Sequence, residues 1–131
     1  MLRIPTALDP AVEALVHQTI GCCIAVHREL GPGLIEHAYG RAVGYELADK
    51  GIPFEREKRV AITYRGRHLY MHRLDLVVAN ELVLELKAVD RLHPVHHAQL
   101  LSVLRTAKIR IGLLINFNVP VLPQGIRRVV L

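Results

Sequence analysis

Apolar residues recur three and four positions apart over the first third of the chain. This spacing predicts an amphipathic helix over residues 10–30, with Asp9 as its capping carboxylate and Pro10 at the first helical position. A Gly-Pro-Gly segment then breaks the pattern. The spacing resumes and predicts a second helix over 34–50, which ends before Gly51.

A period of two, typical of strands, dominates the second half of the chain. The predicted elements are strands over 59–64, 68–78, 82–88 and 110–117, a helix over 94–107, and an edge strand within the C-terminal segment 120–131. The order is ααβββαβ, with no linker, repeat or low-complexity segment. We therefore predict one α/β domain over residues 1–131, with helices flanking the sheet.

Composition and charge narrow the class of protein. Hydrophobic residues make up 51% of the 131 residues, which excludes wholesale disorder and permits a single core. The 17 Lys and Arg against 12 Asp and Glu suit a polyanionic partner, although the excess is modest and scattered. Adjacent Cys22 and Cys23 cannot form a disulfide framework, and no apolar run is long enough to span a membrane. We expect a cytoplasmic protein without a membrane segment.

Two charged residues interrupt the most aliphatic predicted strand. Glu85 and Lys87 lie two positions apart, and therefore on the same face. Burying a charge costs several kcal/mol unless it pairs or binds a metal. Two plainer explanations stay open: a structural ion pair between them, or a strand face that is open to water.

A further carboxylate, Asp75, lies among aliphatic residues on the preceding strand. If the two strands pair through the short turn near Asn80, Asp75 comes roughly opposite Glu85 on one face. Two carboxylates that close repel each other unless a cation lies between them. Oxygen ligands of this kind suit Mg²⁺ or Mn²⁺, and Lys87 would position an attacking water and offset charge on an anionic ester.

Helical positions supply four more candidates. Glu36 heads a largely inward stripe and would reach the metal site with Tyr39 beside it; the alternative is that the helix dipole alone favours an acid there. Gln99 would touch the substrate or the metal's water, although a polar residue at the edge of an amphipathic stripe is commoner. His96 is one turn from Gln99 and would line the same cleft.

Basic residues surround the first predicted hairpin. They are Arg56, Lys58, Arg59, Arg65, Arg67 and Arg73. A solvated strand face explains them as well as phosphate contacts do, and the latter would position nucleic acid without recognising its sequence.

The candidates fall within motifs that together resemble a known family. The motifs are Gly33, Glu36 and Tyr39 in a Gly-x-x-Glu-x-x-Tyr signature, Asp75, Glu85-Leu86-Lys87, and the segments 94–101 and 112–119. Over roughly residues 20–130 they resemble the GxxExxY family, which is placed in the PD-(D/E)XK nuclease superfamily. The resemblance implies a restriction-endonuclease-like core, a mixed sheet flanked by helices, and Mg²⁺-dependent phosphodiester hydrolysis.

The resemblance also implies roles for individual residues. Asp75 and Glu85 would be metal ligands, Lys87 the water-positioning cation, Glu36 the helix-borne acid and Gln99 the polar residue of the later helical motif. Relatives often carry Tyr four positions after this Gln, where Val103 stands here, so any hydroxyl contact is absent.

Together these features predict a metal-dependent nuclease-like protein that hydrolyses phosphodiester bonds of DNA or RNA and uses Mg²⁺ or Mn²⁺. The alternative is a catalytically inactive nucleic-acid-binding or protein-interaction module on the same fold. A third hypothesis is a purely structural partner protein. Because the chain is short for enclosing a duplex, we expect a homodimer.

Overall fold

Three helices and five strands follow one another in the computed structural model, which describes residues 8–131. The elements are α1 (Pro10–Leu30), α2 (Glu36–Asp49), β1 (Phe54–Tyr64), β2 (Arg67–Val78), β3 (Leu82–Lys87), α3 (Pro94–Ala107), β4 (Ile111–Asn116), a short 3₁₀ helix (Leu122–Gly125) and β5 (Ile126–Val130). The predicted order is confirmed, and so is the C-terminal edge strand. Asp9 caps α1 as predicted, since its carboxylate accepts a hydrogen bond from the Ala11 N–H at 2.7 Å.

One boundary differs clearly from the prediction. The first strand begins at Phe54 rather than at residue 59. Its early part alternates half-buried and exposed positions, but most of the half-buried ones carry long basic side chains whose stems cover apolar surface. A count of apolar residues therefore misses the early part of this strand, because Arg56 and Lys58 occupy its half-buried positions.

The strands form one mixed sheet in the order β1-β2-β3-β4-β5. All neighbours are antiparallel except β3 and β4, which are parallel and joined by α3 as a crossover. The β1–β2 hairpin turns at Arg65 and Gly66, whose φ angles of 49° and 78° match the twist of a two-residue hairpin loop.

Two apolar clusters cover the two faces of this sheet. The larger joins α1 and α2 to Leu82, Leu84 and Leu86 of β3, and the smaller joins α3 to Val83 and to Leu114 of β4. Strand β3 is therefore buried on both faces, as its aliphatic run predicts. Any charge on it must be accommodated between the sheet and a helix.

Two further predictions concern membrane segments and the number of domains. Within residues 8–131, no helix has the length and apolar character needed to cross a membrane. The prediction of one domain over residues 1–131 stays a prediction, and its first seven residues lie outside the described part of the chain.

Candidate active site

Strands β2 and β3 separate at the predicted site. Their backbone pairing runs from Val78↔Leu82 to Leu76↔Leu84 and then ends. The next position on each strand is Asp75 and Glu85, respectively. Instead of a backbone pair, the Asp75 carboxylate accepts a hydrogen bond from the Leu86 N–H at 2.7 Å. The two acids thus occupy opposed positions where the ladder opens.

A backbone distortion accompanies this opening. Glu57 of β1 has a φ of 57°, and it does not pair with Asp75, although the pairs on either side, Arg56↔Leu76 and Lys58↔Leu74, are present. Leu74 and Leu76 flank Asp75 but pack in clusters on opposite faces, although residues two apart on a regular strand share a face. The strand is therefore turned at Asp75, which directs its carboxylate into the gap between β2 and β3. Such strained backbone is concentrated at functional sites.

Glu85 is half-buried, and one of its carboxylate oxygens is buried without a hydrogen-bond partner. It shares the α3-facing side of β3 with Val83 and Lys87, and no described residue satisfies its buried Oε1. Burial and the neighbouring Asp75 raise the pKa of Glu85 to about 8, whereas Lys87 lowers it. A bound cation would relieve both the burial and the repulsion.

Asp75 and Glu36 meet in an open cleft on the α2 side of the sheet. Its volume is about 480 Å³, and Arg56 and Arg73 also line it. Burial raises the pKa of Asp75, and Glu36 raises it further; the Leu86 N–H, then the positive charges of Lys87 and Arg73, act in the opposite direction. Glu36 is exposed at the start of α2 and contributes to the electrostatics of both strand carboxylates.

The remaining predicted residues lie on the α3 side. A small cavity of about 40 Å³ is lined by Glu85, Lys87, His96 and Gln99. His96 is half-buried, and its Nδ1 accepts a hydrogen bond from the His93 N–H at 3.1 Å; Gln99 is exposed at the cavity. The predicted residues thus divide between the two faces of β3, with Asp75 in the opening that connects them.

Tyr39 requires a correction. Its side chain is fully buried and stacks on Phe117 with ring centroids 4.3 Å apart. Its hydroxyl donates to the Gly31 carbonyl at 2.6 Å and accepts from the Leu34 N–H at 3.1 Å. The predicted contact with a substrate is therefore wrong, because Tyr39 instead fixes the loop that leads to Glu36.

His72 was not predicted as a site residue. Its side chain lines the same small cavity as Glu85, and its buried Nε2 has no hydrogen-bond partner among the described residues. Burial lowers the pKa of His72, an effect that Asp75 opposes and Lys87 reinforces. The sequence offered one weak signal, a histidine three residues before the predicted acid.

Asn116 is a second residue that the sequence analysis missed. It is buried at the end of β4, where its side chain accepts from the Val89 N–H at 3.1 Å and donates to the Val89 carbonyl at 2.8 Å. Asn116 pairs with Lys87 in the β3–β4 register. It therefore anchors the chain directly after Lys87, and the signal was a lone amide in an aliphatic strand.

The donor set fits a hard divalent cation. No group of three or more His, Cys, Asp or Glu side chains converges as a metal site within residues 8–131, which does not fit a structural zinc centre. Mg²⁺ keeps several waters and needs only one or two protein carboxylates. Asp75 and the unpartnered Oε1 of Glu85 meet that requirement with oxygen ligands.

Comparison with known proteins places the chain in a family. The family model for the PD-(D/E)XK nuclease superfamily matches residues 13–129, from α1 to β5, and this range includes every predicted site residue. Searches of curated proteins and of solved structures each found no match. The mixed sheet with flanking helices agrees with the expected restriction-endonuclease-like fold. The chain therefore belongs to the PD-(D/E)XK nuclease superfamily.

Proposed function

We propose that this protein is a divalent-metal-dependent nuclease that hydrolyses phosphodiester bonds of nucleic acid, as the GxxExxY resemblance implies. The observation that carries the proposal is the half-buried Glu85 carboxylate, whose buried Oε1 lacks a partner while Asp75 occupies the opposed position. A stable fold tolerates a charge removed from water only where a partner group or a bound cation offsets the cost. Membership of a nuclease superfamily supports the same conclusion.

Each predicted site residue other than Tyr39 has a role in the proposed hydrolysis. Asp75 and Glu85 would hold Mg²⁺ or Mn²⁺, which when bound supplies water activation and neutralises charge on the phosphate. Lys87, beside Glu85 on the α3 side, orients the attacking water and offsets negative charge. Glu36 adds a carboxylate from the α2 side of the opening. Gln99 and His96 form the wall that faces the substrate.

The arginines beside the cleft support an anionic substrate. Arg59 and Arg73 are directly opposed on β1 and β2. Like charges at opposed positions destabilise a sheet. The Glu57 carboxylate lies 3.9 Å from the Arg73 guanidinium group, and a phosphate group beside the two arginines would add a second anion. Arg73 also lines the cleft that contains Asp75, so the phosphate contact would lie beside the carboxylates.

Cleavage of labelled DNA and RNA in Mg²⁺ or Mn²⁺ tests the proposal. Glu85→Gln and Asp75→Asn should each reduce cleavage by more than about 100-fold, beyond what changes outside the ligand set usually cause. They should also abolish Mg²⁺ or Mn²⁺ binding measured by calorimetry. Glu81→Gln is the matched control, because Glu81 is exposed just before β3. Unchanged cleavage by Glu85→Gln would overturn the proposal.

The second candidate function is a module that binds nucleic acid or protein and hydrolyses nothing. Val103 favours it, because this buried residue places methyl groups where related proteins often have a Tyr hydroxyl. Salt-dependent binding of DNA or RNA without cleavage in either metal would establish it.

The homodimer also stays a prediction, which light scattering in solution checks. A reducing cytoplasm is our proposal for the location, in keeping with two free and buried thiols.

A further inference from the structure

A larger pocket adjoins the small cavity on the α3 side. It has a volume of about 310 Å³ and lies between α3 and the part of the β1–β2 hairpin that extends past β3. His72, Gln99 and Val103 line both this pocket and the cavity that contains Glu85 and Lys87. A ligand bound at Glu85 therefore has a neighbouring space into which its adjacent group can extend.

The lining combines an aromatic ring with apolar and polar side chains. Tyr70 is 53% exposed, and its ring meets His72 edge-on with centroids 6.3 Å apart. Ile62, Ala98 and Val103 are the apolar residues, whereas Gln99 and Ser102 of α3 are exposed and can hydrogen-bond. Pockets of this composition and of roughly this size hold small ligands or ligand groups, whose orientation a few polar side chains fix.

The positive charge of the β1–β2 hairpin favours a negatively charged polymer as the ligand. Residues 58–74 contain five Lys and Arg and no Asp or Glu. Among the described residues, Arg65 and Arg67, at the turn of this hairpin, have no ion-pair partner within 4.0 Å. A basic surface beside an exposed aromatic ring, here Tyr70, is a pattern by which proteins bind single-stranded nucleic acid, since every base can stack.

We propose that this pocket binds a nucleobase of the substrate strand, adjacent to the phosphate at Glu85 and Lys87. The base stacks on Tyr70, and its edge faces Gln99 and Ser102. The inference rests on the proposed function, because the pocket adjoins that site. It deepens the proposal by defining the substrate locally as a strand with an unpaired, unstacked base beside the cleaved bond.

Fluorescence anisotropy with short labelled single-stranded DNA and RNA tests the pocket. Each strand is compared with an otherwise identical abasic strand, in Ca²⁺, and gels verify that the strands stay intact. Tyr70→Ala should weaken binding of the natural strand by about 5- to 100-fold and leave binding of the abasic strand unchanged. Tyr70→Phe keeps the ring and should restore the affinity.

Tyr64→Ala is the matched control. Tyr64 is 56% exposed at the end of the same hairpin but does not line the pocket, so its loss should not change the preference for bases. Equal effects of Tyr70→Ala on natural and abasic strands would overturn the inference. So would an altered oligomeric state of Tyr70→Ala with unchanged binding, which would identify the surface as an interface between copies of this chain.

The test separates the pocket from the proposed activity. Tyr70-dependent preference for bases without cleavage in Mg²⁺ or Mn²⁺ would contradict the nuclease proposal alone. Cleavage that is indifferent to Tyr70 and to the bases would contradict the pocket alone. Failure of the wild-type protein to bind either strand would overturn both.

Discussion

Replacing the Glu85 carboxylate with an amide should stabilise the metal-free protein as pH rises. Glu85→Gln keeps the shape of the side chain and removes its charge. The pKa of Glu85 is about 8 in the folded protein, against 4.5 for an ordinary glutamate. Between these values the folded protein binds a proton that the unfolded chain releases. The wild-type free energy of unfolding therefore falls as pH rises through this window, and the full loss is reached above about pH 8.

The magnitude follows from the same two pKa values. Their separation, from 4.5 to about 8, corresponds to roughly 4 to 5 kcal/mol at about 1.4 kcal/mol per pH unit. For a domain of this size, each kcal/mol changes the melting temperature by roughly 3 to 5 °C. Because burial also raises the pKa of Asp75, the wild-type curve reports the coupled pair. The difference between wild type and Glu85→Gln isolates the share that depends on Glu85.

Urea unfolding followed by circular dichroism, in EDTA at several pH values from about 5 to about 9, measures the effect. The stability advantage of Glu85→Gln over wild type should grow steadily with pH. Glu81→Gln should follow the wild-type curve, because Glu81 is exposed and lies outside the site. Adding Mg²⁺ or Mn²⁺ at high pH should stabilise the wild-type protein and leave Glu85→Gln unchanged, since ligands stabilise only the state that binds them.

Two results would refute the reasoning. Parallel curves for wild type and Glu85→Gln across the pH range would mean that water or a hydrogen bond already satisfies the Glu85 carboxylate. A variant that is less stable than wild type at high pH would mean that the ionised carboxylate stabilises the fold. Either result removes the argument that this position requires a cation.

Two further predictions concern the segments that hold the site. Tyr39→Phe should lower the free energy of unfolding in urea by about 1–3 kcal/mol, because the Gly31 carbonyl and the Leu34 N–H lose their partner; an unchanged value would mean that water replaces the hydroxyl. Asn116→Ala should accelerate hydrogen exchange at the Val89 amide, because that amide loses its acceptor. Exchange at the wild-type rate would show that another group anchors this loop.

The elements were predictable where local patterns decide the structure. The break between α1 and α2, the Arg65-Gly66 turn and the start of α3 at Pro94 each depend on a few residues with restricted backbone choices. The candidate acids were predictable for a similar reason, because a charge within an aliphatic strand is conspicuous in sequence. The structural role of Tyr39 was not predictable, because an aromatic ring with a polar hydroxyl suits a ligand contact and a buried hydrogen bond equally well.

The arrangement of the site on two faces could not be derived from the sequence, because it depends on a departure from regular strand geometry. Period-two reasoning assigns Asp75 and Glu85 to one face, which assumes undistorted strands. The positive φ of Glu57 and the turn at Asp75 break that assumption, and a glutamate carries no signal for such a backbone. The same distortion brings the Asp75 carboxylate into the gap at Leu86, where charges from the α2 and α3 sides both act on it. The irregular strand therefore connects the two halves of the candidate site, and it places the strained Glu57 in the same cleft as Asp75.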